Sequence, residues 1–99
     1  MQVFPDPAAL ASLCHQFQIR RLSLFGSNLH GAAKPDSDVD LLVEFEPGAR
    51  PSLLTMADIE IRLSALLGGR RVDLRTARDL SQHFRDEVVR TAAPLYASV

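Results

Sequence analysis

Apolar residues recur at three- and four-residue intervals in two long stretches of the chain, which predicts two helices with one apolar face each. The first helix follows Pro5 and Pro7, because prolines favour a helix start. Its inward positions are Leu10, Leu13, Cys14 and Phe17. The second begins after Ser52, a residue type that caps helices, and ends at Gly68-Gly69. Its inward positions are Met56, Ile59, Leu63, Leu66 and Leu67.

Three shorter stretches have the pattern of strands. The first covers residues 21–25, where Leu22 and Leu24 share one face, and it stops at Gly26-Ser27. The second covers residues 39–45, is rich in branched apolar residues and is closed by Pro47-Gly48. The third covers residues 71–74. We therefore expect a short sheet built from separate parts of the chain.

Two further helices complete the prediction. A short one opens at Ser27 and gives way to a loop that reaches Ser37. A last helix is capped by Thr76 or Asp79, and Pro94 should kink or end it. Its inward positions are Leu80, Phe84, Val88, Ala92 and Leu95. The alternation of helices and strands indicates an α/β fold, a small mixed sheet of three to four strands with helices packed on it.

Length and charge exclude several classes of protein. A chain of 99 residues with 46% hydrophobic side chains predicts a single domain over residues 1–99. Eleven Lys and Arg against twelve Asp and Glu make nucleic acid an unlikely partner, because such binding needs a basic excess. The sequence has one cysteine, and its cysteine and histidines lack the spacing of a zinc site. No basic stretch followed by an apolar one resembles a signal peptide at the N-terminus, and no apolar run is long enough to cross a bilayer. These features predict a soluble, cytoplasmic protein without a membrane partner.

Three aspartates are the candidate chemistry. Asp38 and Asp40 lie two residues apart, so strand alternation aims both carboxylates to one side. Asp73 lies on another predicted strand, and pairing of that strand beside the first would add a third carboxylate. Close carboxylates repel unless water or a divalent cation offsets the repulsion. The alternatives are a solvated strand end for the first two, and ion pairs with neighbouring arginines for Asp73.

Gly26-Ser27 stands where a strand turns into a helix. Free backbone N–H groups and the helix dipole attract phosphate at such a point, and the serine adds a hydroxyl donor. An ordinary turn with a serine cap is the alternative. The pattern is neither a nucleophile elbow nor a Walker A loop. The sequence thus points to phosphate donors close to candidate metal ligands.

Together these residues resemble the nucleotidyltransferase superfamily typified by DNA polymerase beta. The resemblance rests on Gly26-Ser27-x-x-x-Gly31, on Ser37-Asp38-x-Asp40-Leu41-Leu42-Val43 and on Asp73. The chain length and Ala93-Pro94-Leu95-Tyr96 are similar to the minimal nucleotidyltransferases found as antitoxins beside HEPN-domain toxins. The resemblance covers nearly the whole chain and implies a core like the palm of polymerase beta.

The resemblance also implies a mechanism and a site. A hydroxyl would attack the α-phosphorus of a nucleoside triphosphate, with loss of pyrophosphate. Asp38 and Asp40 would bridge two Mg²⁺ ions, and Asp73 would hold the catalytic ion and accept the proton of the hydroxyl. Gly26 and Ser27 would bind the outgoing phosphates. In the antitoxin members, AMP is transferred from ATP to a tyrosine of the HEPN toxin.

One loop departs from the family pattern. The family usually has basic residues after Gly-Ser, whereas this chain has Asn28-Leu29-His30. Neutral His30 supplies no permanent charge, so triphosphate binding would depend on Lys34 or an arginine. This departure supports an alternative hypothesis, a non-catalytic antitoxin that neutralises its toxin by binding and occlusion. A nucleotidyltransferase acting on sugars or antibiotics is disfavoured, because the chain has no acceptor domain.

Overall fold

The computed structural model describes residues 3–25, 38–80 and 82–98. Within them the chain forms three α-helices, one short 3-10 helix and four strands. In chain order these are α1 (Pro7–Gln16), β1 (Ile19–Phe25), β2 (Val39–Phe45), α2 (Leu53–Leu66), β3 (Val72–Arg75), a 3-10 helix (Ala77–Asp79), α3 (Gln82–Thr91) and β4 (Ala93–Ala97). None of the described helices is both long enough and apolar enough to cross a membrane.

The strands form one mixed sheet in the order β3-β2-β1-β4. β1 is antiparallel to both of its neighbours, whereas β2 and β3 run parallel and are connected through α2. The predicted α/β class, with a mixed sheet of three to four strands, is confirmed. β2 has the predicted bounds, β1 begins two residues earlier than predicted, and β3 is shifted by one residue.

Both α1 and α2 begin close to the predicted starts, and α2 ends just before Gly68-Gly69, as predicted. The Asp6 carboxylate accepts a hydrogen bond from the Ala9 N–H at 3.1 Å and caps α1. The Ser52 hydroxyl accepts one from the Thr55 N–H at 3.1 Å and caps α2. Beyond α2, Gly68 and Gly69 have φ angles of 73° and 94°, which residues other than glycine rarely adopt. The chain can therefore turn sharply from α2 into β3.

Each face of the sheet carries its own apolar cluster. α1 and α2 pack on the first face, where the fully buried side chains include Leu22, Leu24, Leu41, Ile59 and Leu63. The second cluster is smaller and consists of Phe25, Leu42, Leu80 and Val88, with Ala92 packed against it. The sequence prediction of Leu80, Val88 and Ala92 as inward positions is confirmed. The polar residues of β2 and β3 alternate with the first cluster, so they share the second face.

The predicted C-terminal helix through Leu95 is wrong. The Thr76 N–H and hydroxyl donate to the Asp79 carboxylate, both at 3.0 Å, and this interaction caps only the 3-10 helix. α3 begins after it and ends at Thr91, as expected of a helix that approaches Pro94. The chain then extends, and β4 pairs with the open edge of β1, with Tyr96 opposite Leu22. Proline is tolerated there because β4 is an edge strand.

Candidate active site

The three predicted aspartates lie at the paired strands β2 and β3. Asp38 immediately precedes β2, Asp40 is its second residue, and Asp73 is the second residue of β3. In the parallel pairing, Asp40 and Asp73 are directly opposite each other, and neighbouring strands are separated by about 4.8 Å. The expectation that the strand of Asp73 pairs beside that of Asp40 is confirmed.

The apolar neighbours of these aspartates restrict the register of the two strands. Val39 is paired with Val72 and Leu41 with Leu74, and all four side chains are buried in the first cluster. A slip by one residue would turn the carboxylates into that cluster and the apolar side chains out of it. Burial of the alternate positions thus excludes a one-residue slip and keeps Asp40 and Asp73 on the same face of the sheet.

Asp40 has an unfavourable environment for its charge. Partial burial raises the pKa of its carboxyl group above the ordinary value, and the charges of Asp73 and Asp38 raise it further. The guanidinium of Arg75 opposes this shift. A cation bound beside Asp40 would offset the part of this shift that comes from Asp73 and Asp38.

Arginines of the β3 segment pair with the other two carboxylates. Arg75 Nε donates to Asp73 Oδ1 at 3.3 Å, and Arg75 Nη2 donates to Asp73 Oδ2 at 3.4 Å. Arg71 Nε lies 4.0 Å from Asp38 Oδ1. The alternative interpretation of Asp73, an ion pair with a neighbouring arginine, is thus present in the structure. It coexists with the position of Asp73 beside Asp40.

Comparison with known proteins adds to this geometry. Residues 9–98 match the family model described as polymerase beta, nucleotidyltransferase. The chain belongs to the polymerase beta nucleotidyltransferase family. The protein adenylyltransferase MntA of Thermococcus cleftensis is 45% identical over 78 residues, which are 79% of this chain and 76% of that protein. The predicted membership of this family is confirmed.

Solved structures agree with this membership. A structure of a minimal nucleotidyltransferase is 43% identical and superposes with a TM-score of 0.73, over 90% of this chain and 88% of that one. An MNT antitoxin in complex with a tri-AMPylated HEPN toxin of Shewanella oneidensis superposes with a TM-score of 0.62, over 93% and 70% of the two chains. At 19% identity, that second likeness shows the fold alone.

The carboxylates of this nucleotidyltransferase are of the chemical kind that binds hard cations. Carboxylate oxygens are the ligands that Mg²⁺ prefers, and the in-register pair offers one from each strand. Among residues 3–25, 38–80 and 82–98, however, no three acidic, histidine or cysteine side chains gather closely enough to hold a metal. In the same part of the structure, Asp38 pairs with Arg71 and Asp73 pairs with Arg75.

Two of the predicted site residues, Gly26 and Ser27, lie outside the described part of the chain. The same holds for the short helix predicted to open at Ser27 and for the Asn28-Leu29-His30 loop. The described residues on either side show where this segment is attached. Phe25, the last residue of β1, is paired with Asp40. Asp38, two residues before Asp40, is the first described residue after this segment.

Sequence reasoning missed Glu60 and underrated Arg75. Glu60 lies on α2, and burial together with the charge of Asp73 raises the pKa of its carboxyl group. The proximity of Glu60 to Asp73 depends on how α2 packs against β3, and no local sequence pattern indicates that packing. Arg75 was detectable, because it follows Asp73 by two residues on a strand and must share its face.

Proposed function

We propose that this nucleotidyltransferase transfers AMP from ATP to a hydroxyl group of a partner HEPN-type toxin and so acts as its antitoxin. The observation that carries the proposal is the in-register pair of Asp40 and Asp73, with Asp38 two residues before Asp40. The protein adenylyltransferase named among the relatives supports AMP as the transferred group. The complex of an MNT antitoxin with an AMPylated HEPN toxin supports the class of partner.

Asp38, Asp40 and Asp73 would hold the two Mg²⁺ ions in this proposal. Bound Mg²⁺ supplies neutralisation of the negative charge that accumulates on phosphate oxygens during transfer. Burial and then the charges of Asp73 and Asp38 raise the pKa of Asp40, and the repulsion among these carboxylates supports the assignment because a bound cation offsets it. Loading of the site requires Arg75 to release at least part of its contact with Asp73.

Residues of this chain supply the proton acceptor and the phosphate-binding groups that the proposed reaction needs. The hydroxyl oxygen of the acceptor attacks the α-phosphorus of ATP, a new P–O bond forms, and pyrophosphate leaves. Asp73 accepts the proton of the attacking hydroxyl. The backbone N–H groups and the hydroxyl of Gly26-Ser27 bind the departing phosphates. Arg75, once free of Asp73, adds a cation beside the phosphates.

The exposure of the site suits an acceptor on another protein. The side chains of Asp38 and Asp73 are 52% and 39% exposed, so a tyrosine presented by a partner can reach them. A tyrosine is the proposed acceptor because the resemblance to the antitoxin nucleotidyltransferases implies one. The cytoplasm is the proposed compartment, since it supplies ATP.

Intact-mass measurement tests this function directly. The protein is purified with the partner that accompanies it from its own cells, and ATP and Mg²⁺ are added. We expect the partner to gain 329 Da per AMP with the natural protein and nothing with Asp40→Asn, a mass set by the formula of the adenylyl group. A partner that gains the same mass with both proteins would refute the assigned site.

One observation favours a second candidate, a non-catalytic antitoxin that occludes its toxin. Arginines pair with two of the three carboxylates, as they would in a cluster whose charges serve only structure or docking. In that case Asp40→Asn would still protect against the toxin, and protection would not require nucleotide. Toxin activity measured with and without ATP separates the two functions.

A further inference from the structure

The outward face of α2 is mainly apolar, and the half-buried Ser64 is the polar residue within it. Leu53, Leu54 and Ile61 are 89%, 84% and 69% exposed, and two exposed alanines lie among them. At about 100° per residue these positions fall within an arc of about 120°. We call this the outer α2 face, consisting of Leu53, Leu54, Ala57, Ile61 and Ala65. A helix on a protein surface normally turns polar residues outward, so this face indicates an interaction surface.

The outer α2 face lies away from the carboxylates. The opposite side of α2 buries Ile59 and Leu63 against the sheet face that also contains Val72 and Leu74. Asp73 stands between those two strand residues and therefore points to the other face of the sheet. A partner that presents a hydroxyl to the carboxylates approaches from that other face. The outer α2 face is left for a different occupant.

We propose that this occupant is a second copy of the chain, packed with its α2 antiparallel to the first. In this antiparallel register, the numbers of two facing residues sum to 118. Ile61 then faces Ala57 of the second copy, and Leu53 faces its Ala65. Each large side chain then meets a small one, which allows the two helices to approach closely. A parallel arrangement would instead set Leu53 against Leu53 and Ile61 against Ile61.

The charges beside this face are also self-complementary. Arg62 Nε donates to Asp58 Oδ1 at 3.1 Å, and Arg62 stacks over the Phe17 ring at 5.5 Å from its centre, so both charges flank the face on the α1 side. A two-fold axis perpendicular to both helices keeps that side in common. Asp58 of one copy then lies within about one helical turn of Arg62 of the other. In a parallel pair the two α1 sides would lie on opposite sides of the contact, and this pairing of opposite charges would be lost.

This association leaves both catalytic faces open. The two-fold axis runs between the α2 helices, so the carboxylates of each copy point away from the contact. Both copies can accept a partner at the same time. The choice of a second copy rather than the toxin as occupant rests on the proposed function, because that function brings the toxin to the face of Asp40 and Asp73.

Sedimentation equilibrium of the purified full chain over a range of concentrations tests this inference. We expect the natural protein to have the mass of a dimer and Ile61→Lys to dissociate at least about tenfold more readily, because it buries a charge at the contact. Ser12→Lys is the matched control, since it adds the same charge at an exposed position of α1. It should remain a dimer, and circular dichroism should show that both variants are folded.

A charge exchange gives a second, independent readout. Asp58→Arg and Arg62→Asp should each weaken the dimer, and the double variant should restore it, because every cross-pair is then reversed. A natural protein that is monomeric at all concentrations overturns the inference. The inference is also overturned if the protein is a monomer and its toxin partner binds Ser12→Lys but not Ile61→Lys. The toxin would then be the occupant of the outer α2 face.

Discussion

Arg75 donates hydrogen bonds to both carboxylate oxygens of Asp73, two residues earlier on the same strand. The charge of the carboxylate beside Asp40 is thereby balanced from within the chain, and Arg75 also lowers the repulsion felt by Asp40. A cation that binds between Asp40 and Asp73 must compete with this guanidinium. Arg75 is therefore a positioning residue whose contact with Asp73 sets how readily the site takes up metal.

We expect Arg75→Gln to bind Mn²⁺, a substitute for Mg²⁺, severalfold more tightly than the natural protein. The reason is that the amide of glutamine competes for Asp73 without a charge. Titration calorimetry of the purified chain without nucleotide measures this. Arg21→Gln is the control, because it removes an exposed arginine whose ion pair, with Glu44 at 3.7 Å, lies elsewhere on the sheet. An affinity that falls or stays the same in Arg75→Gln contradicts the competition.

We expect Asp40→Asn to reduce AMP transfer by at least about a hundredfold, because loss of one group that stabilises charge in the transition state typically costs this much. Glu44→Gln removes a carboxylate from the same face of β2, four residues further along, and should keep its activity. Incorporation of labelled AMP into the co-purified partner gives both rates. Equal loss in the two variants would mean that the charge of β2, rather than Asp40, is responsible.

The sequence predicted the parts of the fold whose pattern is local. The branched apolar run of β2 and the Ser52 cap of α2 lie where expected, because burial and capping depend on a few adjacent residues. The pairing of the strand of Asp73 beside that of Asp40 was also expected, and alternation places both carboxylates on the same face of the sheet. These local rules extend to the candidate site as far as its carboxylates.

The failures have a common physical cause, which is contact with distant parts of the chain. Leu95 continues the helical period of Leu80 and Val88, yet it lies on β4 because the edge of β1 offers hydrogen bonds after Pro94 ends the helix. Likewise, the charge of Asp73 reaches Glu60 through the packing of α2 on β3. Such pairings depend on tertiary contacts that no window of the sequence contains.

We expect Cys14 to be inert toward thiol reagents in the folded protein. Its side chain is fully buried, and this burial raises the pKa of the thiol to about 12, so almost no thiolate exists at neutral pH. A colorimetric disulfide reagent should label it at least about a hundredfold more slowly in buffer than in denaturant. Immediate labelling of the folded protein would show that α1 opens readily from the sheet.

The raised pKa of Asp40 also predicts how stability depends on pH. Because burial, Asp73 and Asp38 raise this pKa above the ordinary 3.8, the folded chain holds the Asp40 proton more tightly than the unfolded chain does. The stabilisation by that proton is complete below the unfolded pKa and is lost as the pH rises through the folded pKa. At neutral pH the ionised carboxylate therefore destabilises the fold.

Asp40→Asn removes this penalty, so we expect it to be more stable than the natural protein at pH 7 and to lose that advantage below pH 4. Urea unfolding at both pH values, with divalent cations removed by chelator, measures the difference. Glu60→Gln should change stability in the same direction, because burial and Asp73 raise the pKa of Glu60 as well. Glu44→Gln is the control, and its stability relative to the natural protein should not follow this course. A variant Asp40→Asn that is less stable at pH 7 would mean that the attraction between Arg75 and the carboxylate outweighs its burial and its repulsion from Asp73.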